Sequence, residues 1–190
     1  MGEKMSRFKP QGIFKTFCWD MRGREELIIP AKKLTIEECF NLLGLEKWQD
    51  ISKNITVDEG LNDILGVYFK SGSATATWYL GLKGTNQTPA SGWNAAGIGT
   101  QFTEFTSYTE GTREEWVEGS VSAKSLSNTA SPAEFNINGS GTVYGAFIVS
   151  TNTKSGTTGI MWCCSDFGVS RPVVSGDLLK VVYSITSSDV

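Results

Sequence analysis

Apolar residues recur in this chain at two spacings, and the switch between them falls in the stretch from Asn54 to Leu82. Asn54-Ile-Thr-Val reads as a short strand. Leu61, Ile64, Leu65 and Tyr68 then stand at i, i+3, i+4 and i+7, the spacing of one helical face. Thr56 or Asp58 can cap that helix, and Glu59 lies in its first turn, where the helix dipole favours a carboxylate. Lys70-Ser71-Gly72-Ser73 ends it. Ala76, Trp78, Leu80 and Leu82 next alternate with Thr75, Thr77, Tyr79 and Gly81, the period of a half-buried strand.

Upstream of this stretch the chain is charged and mixed in structure. Residues 1–12 read as an N-terminal arm, basic at Lys4, Arg7 and Lys9, that is either a disordered terminus or a segment that orders on a partner with Phe8 as its anchor. Ile13 to Trp19 alternates weakly, with Phe14 and Phe17 out of phase. Asp20-Met-Arg-Gly23 is a turn, and Glu26 to Ile29 resumes as a strand, which together predict an N-terminal hairpin. Thr35-Ile-Glu-Glu38 is a capping box ahead of a two-turn helix, Ile36 to Leu43, with Gly44 as its terminator. Leu45 to Asp50 is expected to lie over the core with Trp48 inserted, so residues 31–52 read as a helical insertion.

Downstream the pattern is β throughout. Gly84 to Gly111 is a long Gly-, Thr-, Ser- and Asn-rich loop with one short strand, Gln101 to Phe105; it carries Trp93, Phe102, Phe105 and Tyr108 with scarcely any charge, which suits a loop lying either against a neighbour or over its own core. Trp116 and Val117 open a strand, and Val121 and Ala123 follow. Ala133, Phe135 and Ile137 alternate with Glu134 and Asn136. Thr142 to Ser150 is the most apolar run and the expected central strand. It pairs with Ile160 to Cys164 across a polar turn, and Leu179, Val181, Tyr183 and Ile185 make a last alternating strand. Many short strands with turn signals at this spacing predict a mainly β, jelly-roll-like antiparallel sandwich with two short helices, in a single domain over residues 13–190.

Composition narrows the function. The net charge of −3 gives no electrostatic footprint for nucleic acid, and no basic run suits an anionic membrane surface. No apolar run approaches the roughly 18 residues of a membrane span. The N-terminus lacks the apolar segment of a signal peptide, and Gly2 fits a myristoylation pattern only loosely, so synthesis in a cytoplasm is expected. Of the four cysteines, Cys163 and Cys164 are neighbours and point to opposite faces of a strand. With no Cys-x-x-Cys and no histidine, Cys18, Cys39, Cys163 and Cys164 read as structural thiols and not as a metal or disulfide framework.

The absence of histidine also excludes Ser-His-Asp and Cys-His catalysis. Glu104, Glu110, Glu114, Glu115 and Glu118 could supply a carboxylate pair flanking a sugar bond, but Arg113 among them points to a solvated, partly paired strip. Asp58, Glu59 and Asp63 could bind Ca²⁺, though capping and exposure account for them. Gly139-Ser-Gly141 is a turn and not a phosphate loop, since no helix or lysine follows. Trp93 and Trp116 could stack on sugars, while packing is the better default for rings in a β-rich chain. No cofactor is called for.

One resemblance carries further. Asn54-Ile-Thr-Val-Asp-Glu-Gly-Leu-Asn-Asp-Ile-Leu followed by Thr77-Trp-Tyr-Leu-Gly-Leu82 resembles the core of a family of small tailed-bacteriophage virion proteins. That family has an "N-x-x-x-x-E-G-L-N" helix and a "W-Y-x-G-L" strand. Ser107-Tyr-Thr-Glu-Gly-Thr-Arg113 with Trp116-Val117, Ser127-Asn-Thr-Ala-Ser131 with Ala133, Phe135 and Ile137, and Tyr144-Gly-Ala-Phe-Ile-Val-Ser150 extend it. Thr153-Lys-Ser-Gly-Thr-Thr-Gly159 and Val174-Ser-Gly-Asp-Leu178 bring it to about residues 53–186. The 36–50 helical piece is an insertion relative to this pattern.

The resemblance implies a capsid decoration or cement protein without enzymatic activity. Its expected partners are the major capsid protein and itself, as a small homo-oligomer, with no nucleic acid and no membrane. Its expected place is the capsid surface of the virion. Many modest contacts across a lattice suit an uncharged aromatic loop, through avidity. Arg7, Phe8, Lys9, Trp93, Phe102, Phe105 and Tyr108 are therefore the expected capsid or subunit contacts. A tail-associated or fibre structural protein and a surface carbohydrate-binding module are the alternatives.

Overall fold

The computed structural model describes residues 9–22 and 46–188. Two antiparallel sheets share one core. The first is ordered β2-β1-β11-β7, with β1 Lys9–Asp20, β2 Glu46–Lys53, β7 Ser125–Ser127 and β11 Asp177–Ser188; β8, Ala133–Asn136, also pairs with β11. The second is ordered β3-β10-β9-β4-β5, with β3 Ile55–Thr56, β4 Tyr79–Lys83, β5 Glu104–Phe105, β9 Gly141–Val149 and β10 Met161–Val173; β6, Glu114–Glu115, also pairs with β4. One α-helix, α1, spans Asp58–Lys70, and a 3-10 turn spans Ala95–Gly97.

The alternation seen in the sequence resolves into faces. In β1, Phe14, Thr16 and Cys18 are fully buried toward the shared core, while Phe17 and Trp19 stack on the opposite face with ring centroids 5.7 Å apart. The residues out of phase with one another are thus those of one strand with rings on both sides. Leu179, Val181 and Tyr183 of β11 meet Phe14, Cys18 and the inward residues of the second sheet in one cluster. In β8, Ala133 and Phe135 point in and Glu134 and Asn136 point out, as their alternation requires.

The N-terminal part differs from expectation. The Glu26–Ile29 half of the expected hairpin lies outside the described residues, as does the Ile36–Leu43 helix of the expected 31–52 insertion. β1 takes β11 and β2 as its described neighbours. Residues 46–52, expected within a helical insertion, are strand. The reason is an inverted pattern: Asp50 and Ser52 are buried and Ile51 is 66% exposed. Asp50 can be buried because the Arg171 guanidinium pairs with it at 3.1 Å and Gly168 N–H donates to it. Trp48 does pack against the core, its ring 5.9 Å from Phe167.

The second sheet is covered on both faces. Its inner face shares the core with the first sheet. Its outer face, formed by Val57, Phe147, Val149, Met161 and Cys164, is roofed by Trp93, Ala95, Ile98 and Phe102 of the loop after β4. This is why 143–149 reads as a continuous apolar run and not as an alternation. Cys163 faces the inner core and Cys164 the outer one, so both thiols are buried. Gly81 is needed here, because a Cβ would collide with the Phe147 ring crossing it. β9 and β10 form the expected hairpin, and β10 runs on to Val173 past a register irregularity between Asp166 and Arg171. Val121 and Ala123 are not strand. Val121 is 73% exposed, and Ala123 and Lys124 take left-handed φ of 48° and 61° in a tight turn.

Helix α1 is present with its expected ends, but it is turned differently. Its N-cap is Val57, without a side-chain cap, correcting Thr56 and Asp58. Asp58 N–H instead donates to the Ser91 carbonyl at 2.8 Å. Ser71 ends the helix in the left-handed region at φ 55°, and Gly72 N–H returns to the Gly66 carbonyl. Gly60 sets the helix against β10: a Cβ there would lie 2.8–2.9 Å from Trp162. Ile64 and Val67 follow Gly60 inward, so Leu65 at 54% and Tyr68 at 80% exposure point out, against the expectation that both pack.

Candidate functional site

The expected contact residues divide into two groups. Arg7 and Phe8 lie outside the described residues, and Lys9 is described only as the first residue of β1. Trp93, Phe102, Phe105 and Tyr108 are 9%, 2%, 8% and 2% exposed. Their assignment as capsid or subunit contacts is corrected: they are core. Trp93 stacks on Phe102 at 5.1 Å, Phe102 meets Phe147 edge-on at 5.1 Å, and Tyr108 meets Phe135 edge-on at 5.0 Å. Trp116 is also buried and donates its indole N–H to the Tyr183 carbonyl, so neither Trp93 nor Trp116 offers a sugar platform.

The loop is held by buried charges. Glu104 and Arg113 form a two-pronged pair at 2.9 and 3.0 Å, with both side chains wholly buried. Arg113 also donates to the Thr151 and Gly156 carbonyls, and Ser155 N–H donates to Glu104. The solvated strip expected around Arg113 is therefore a buried tie among three loops, with every polar atom of the pair given a partner, as burial of charge demands. Lys83, also fully buried, pairs with Asp166, donates to the Gln87 carbonyl, and lies 5.7 Å from the Trp93 ring centre. Glu110 accepts from the backbone and side chain of Asn136. Glu114 is the least well served of the set. Burial, and then Glu110 nearby, raise its carboxyl pKa. Glu104 and Glu110 are thus bonded within the chain.

Glu59 is likewise in use. Its carboxylate accepts from Ala95 N–H at 2.9 Å and Met161 N–H at 2.7 Å, tying the helix start to the roofing loop and to β10. Among the described residues no group of three or more His, Cys, Asp or Glu is placed to hold a metal. Burial pushes the Cys18 thiol up to about 12, with Asp177 adding to the effect, and pushes Cys164 up to about 12 as well. Neither is a nucleophile at neutral pH. No described helix is long and apolar enough to cross a membrane.

What remains open is a surface and a cavity beside α1. Leu65, Tyr68 and Phe69 are 54%, 80% and 73% exposed, and the last two rings meet edge-on at 5.1 Å. Next to them is a cavity of about 330 Å³. Ile64 and Val67 of α1, Trp78, Trp116, Trp162 and Ile185 form most of its wall, and Asp63 and Tyr68 stand with Thr75 as its polar members. The Trp78 and Trp162 rings meet at 62° and 6.4 Å.

The sequence holds a signal for this face. Leu61, Ile64, Leu65, Val67, Tyr68 and Phe69 are more apolar positions than one helical face can bury. Three consecutive ones, Val67-Tyr68-Phe69, span most of a turn, so some must face outward. No protein-family model matches the chain, and its sequence matches no curated protein.

Proposed function

We propose that this chain is a non-enzymatic decoration protein of a tailed-phage capsid, its two sheets joined in jelly-roll fashion, which binds the assembled lattice as a small homo-oligomer against the major capsid protein. The observation that carries the reading is where the polar residues of the resemblance lie. Of the charged residues within it, Glu59, Glu110, Arg113 and Lys154 bond to other parts of the chain. A motif that serves to join loops supports a scaffold that works through its surface, with no reacting group. The exposed Leu65, Tyr68 and Phe69 supply apolar surface of the kind that marks a contact with another protein. Such contacts, each modest, multiply across a lattice.

The test is the copy number of the chain per virion, counted by quantitative mass spectrometry against the major capsid protein. A count comparable to the capsid protein is expected. A count near that of a tail component moves the protein to the tail or a fibre, and absence from the particle overturns the virion reading.

A further inference from the structure

We infer that the cavity beside α1 is a binding site for a small ligand with an apolar stem and a cationic head, an alkyl- or arylalkyl-ammonium ion. At about 330 Å³ the cavity falls within the range of small-molecule pockets, and apolar walls with few polar groups are their usual composition. Three indoles share its wall. Trp116 and Trp162 turn their N–H groups away from it, to the Tyr183 carbonyl at 3.2 Å and the Tyr183 hydroxyl at 2.9 Å, so these two present ring carbon to an occupant. Ile64, Val67 and Ile185 complete a lining suited to a hydrocarbon stem.

The head group is set by Asp63, the one charged residue in the lining. It is half-buried, and among the described residues its carboxylate has no hydrogen-bond or ion-pair partner. Asp50, Glu59, Glu104, Glu110 and Asp166, by contrast, each have at least one donor. Burial raises the Asp63 carboxyl pKa, the sign of a carboxylate short of stabilising neighbours. A cation seated beside it would gain the charge and the faces of neighbouring aromatic rings together. An anion would meet the carboxylate, and a neutral stem would leave it as it is. The inference is independent of the virion reading, and either can fail alone.

The experiment titrates the full chain with hexylammonium, 1-hexanol and hexanoate, read by tryptophan fluorescence. Hexylammonium is expected to bind about fivefold more tightly than hexanol, the size of a partly exposed ion pair, and hexanoate more weakly than either. Asp63→Asn should abolish the preference and leave hexanol binding in place. Ala74→Trp, at an exposed position of the rim, should weaken all three. Equal affinity for the cation and the alcohol, a preference that survives Asp63→Asn, binding unaffected by Ala74→Trp, or no binding of any probe would each overturn the assignment.

Discussion

The roofing loop and helix α1 make opposite use of similar material. Both carry aromatic residues beside β10 and β9, and both hold glycine and acidic side chains. In the loop Trp93, Phe102, Phe105 and Tyr108 are core; in the helix Tyr68 and Phe69 are the most exposed rings described. The loop can be buried because its polar groups are answered. Lys83 and Glu59 serve its backbone at Gln87 and Ala95, and the Arg113–Glu104 pair ties it to the backbone of the 151–156 turn. The helix satisfies its backbone internally, so nothing forces it deeper, and its seat is decided by one small residue, Gly60. Aromatic content does not tell inside from outside; the provision made for the backbone does.

The largest test of this contrast removes the tie. Arg113→Met should cost about 3–5 kcal/mol in urea unfolding, because it leaves Glu104 buried and unpaired. The double variant with Glu104→Gln should recover part of that loss. Phe102→Ala, which empties the roof, should cost about 3–4 kcal/mol by the same measurement. Gly60→Ala raises helix propensity yet should destabilise by about 1–3 kcal/mol, since its Cβ meets Trp162; a stabilised variant would mean the helix is free to shift. Asp63→Asn has a smaller, pH-dependent effect. With a folded-state pKa raised above its ordinary 3.8, Asp63 favours the fold at low pH and loses that contribution as pH rises through the folded value. The variant should therefore melt slightly above the parent at pH 7 and level with it below pH 3.8. Tyr68→Ser should change stability by no more than about 0.5 kcal/mol, as befits a ring in solvent. A larger loss would show that the helix face is covered.

Much of the fold was legible, and for a physical reason. β8 and the inward residues of β11 are buried by face, which writes a period into the sequence, and β9, covered on both faces, writes a continuous apolar run. The existence of α1 was legible in the same way. Its rotation was not, because its apolar residues exceed one face and the choice rests on Gly60 meeting Trp162. β2 was missed because Asp50 and Ser52 point inward, a pattern hydropathy reads backwards, and its cause, Arg171, is far along the chain. The candidate site suffered most. A loop has no period, so the burial of Trp93 and Phe102 could not be read from spacing, and Arg113 among glutamates gives no sign of whether water or a partner surrounds it.

The twelve-residue pairing of β1 with β11 bears on how the chain comes to be made. β1 sits between β2 and β11 in the first sheet, yet its longer partner is made only after every other described strand. Until then its inward residues Phe14 and Cys18 lack the neighbours that cover them. At about 5–20 residues per second of synthesis, that interval lasts roughly ten seconds or more. The first sheet therefore closes by a late and sequence-distant step, and folding should be slow for a domain of this size. Substitutions in this pair of strands should register in the refolding rate as well as in stability.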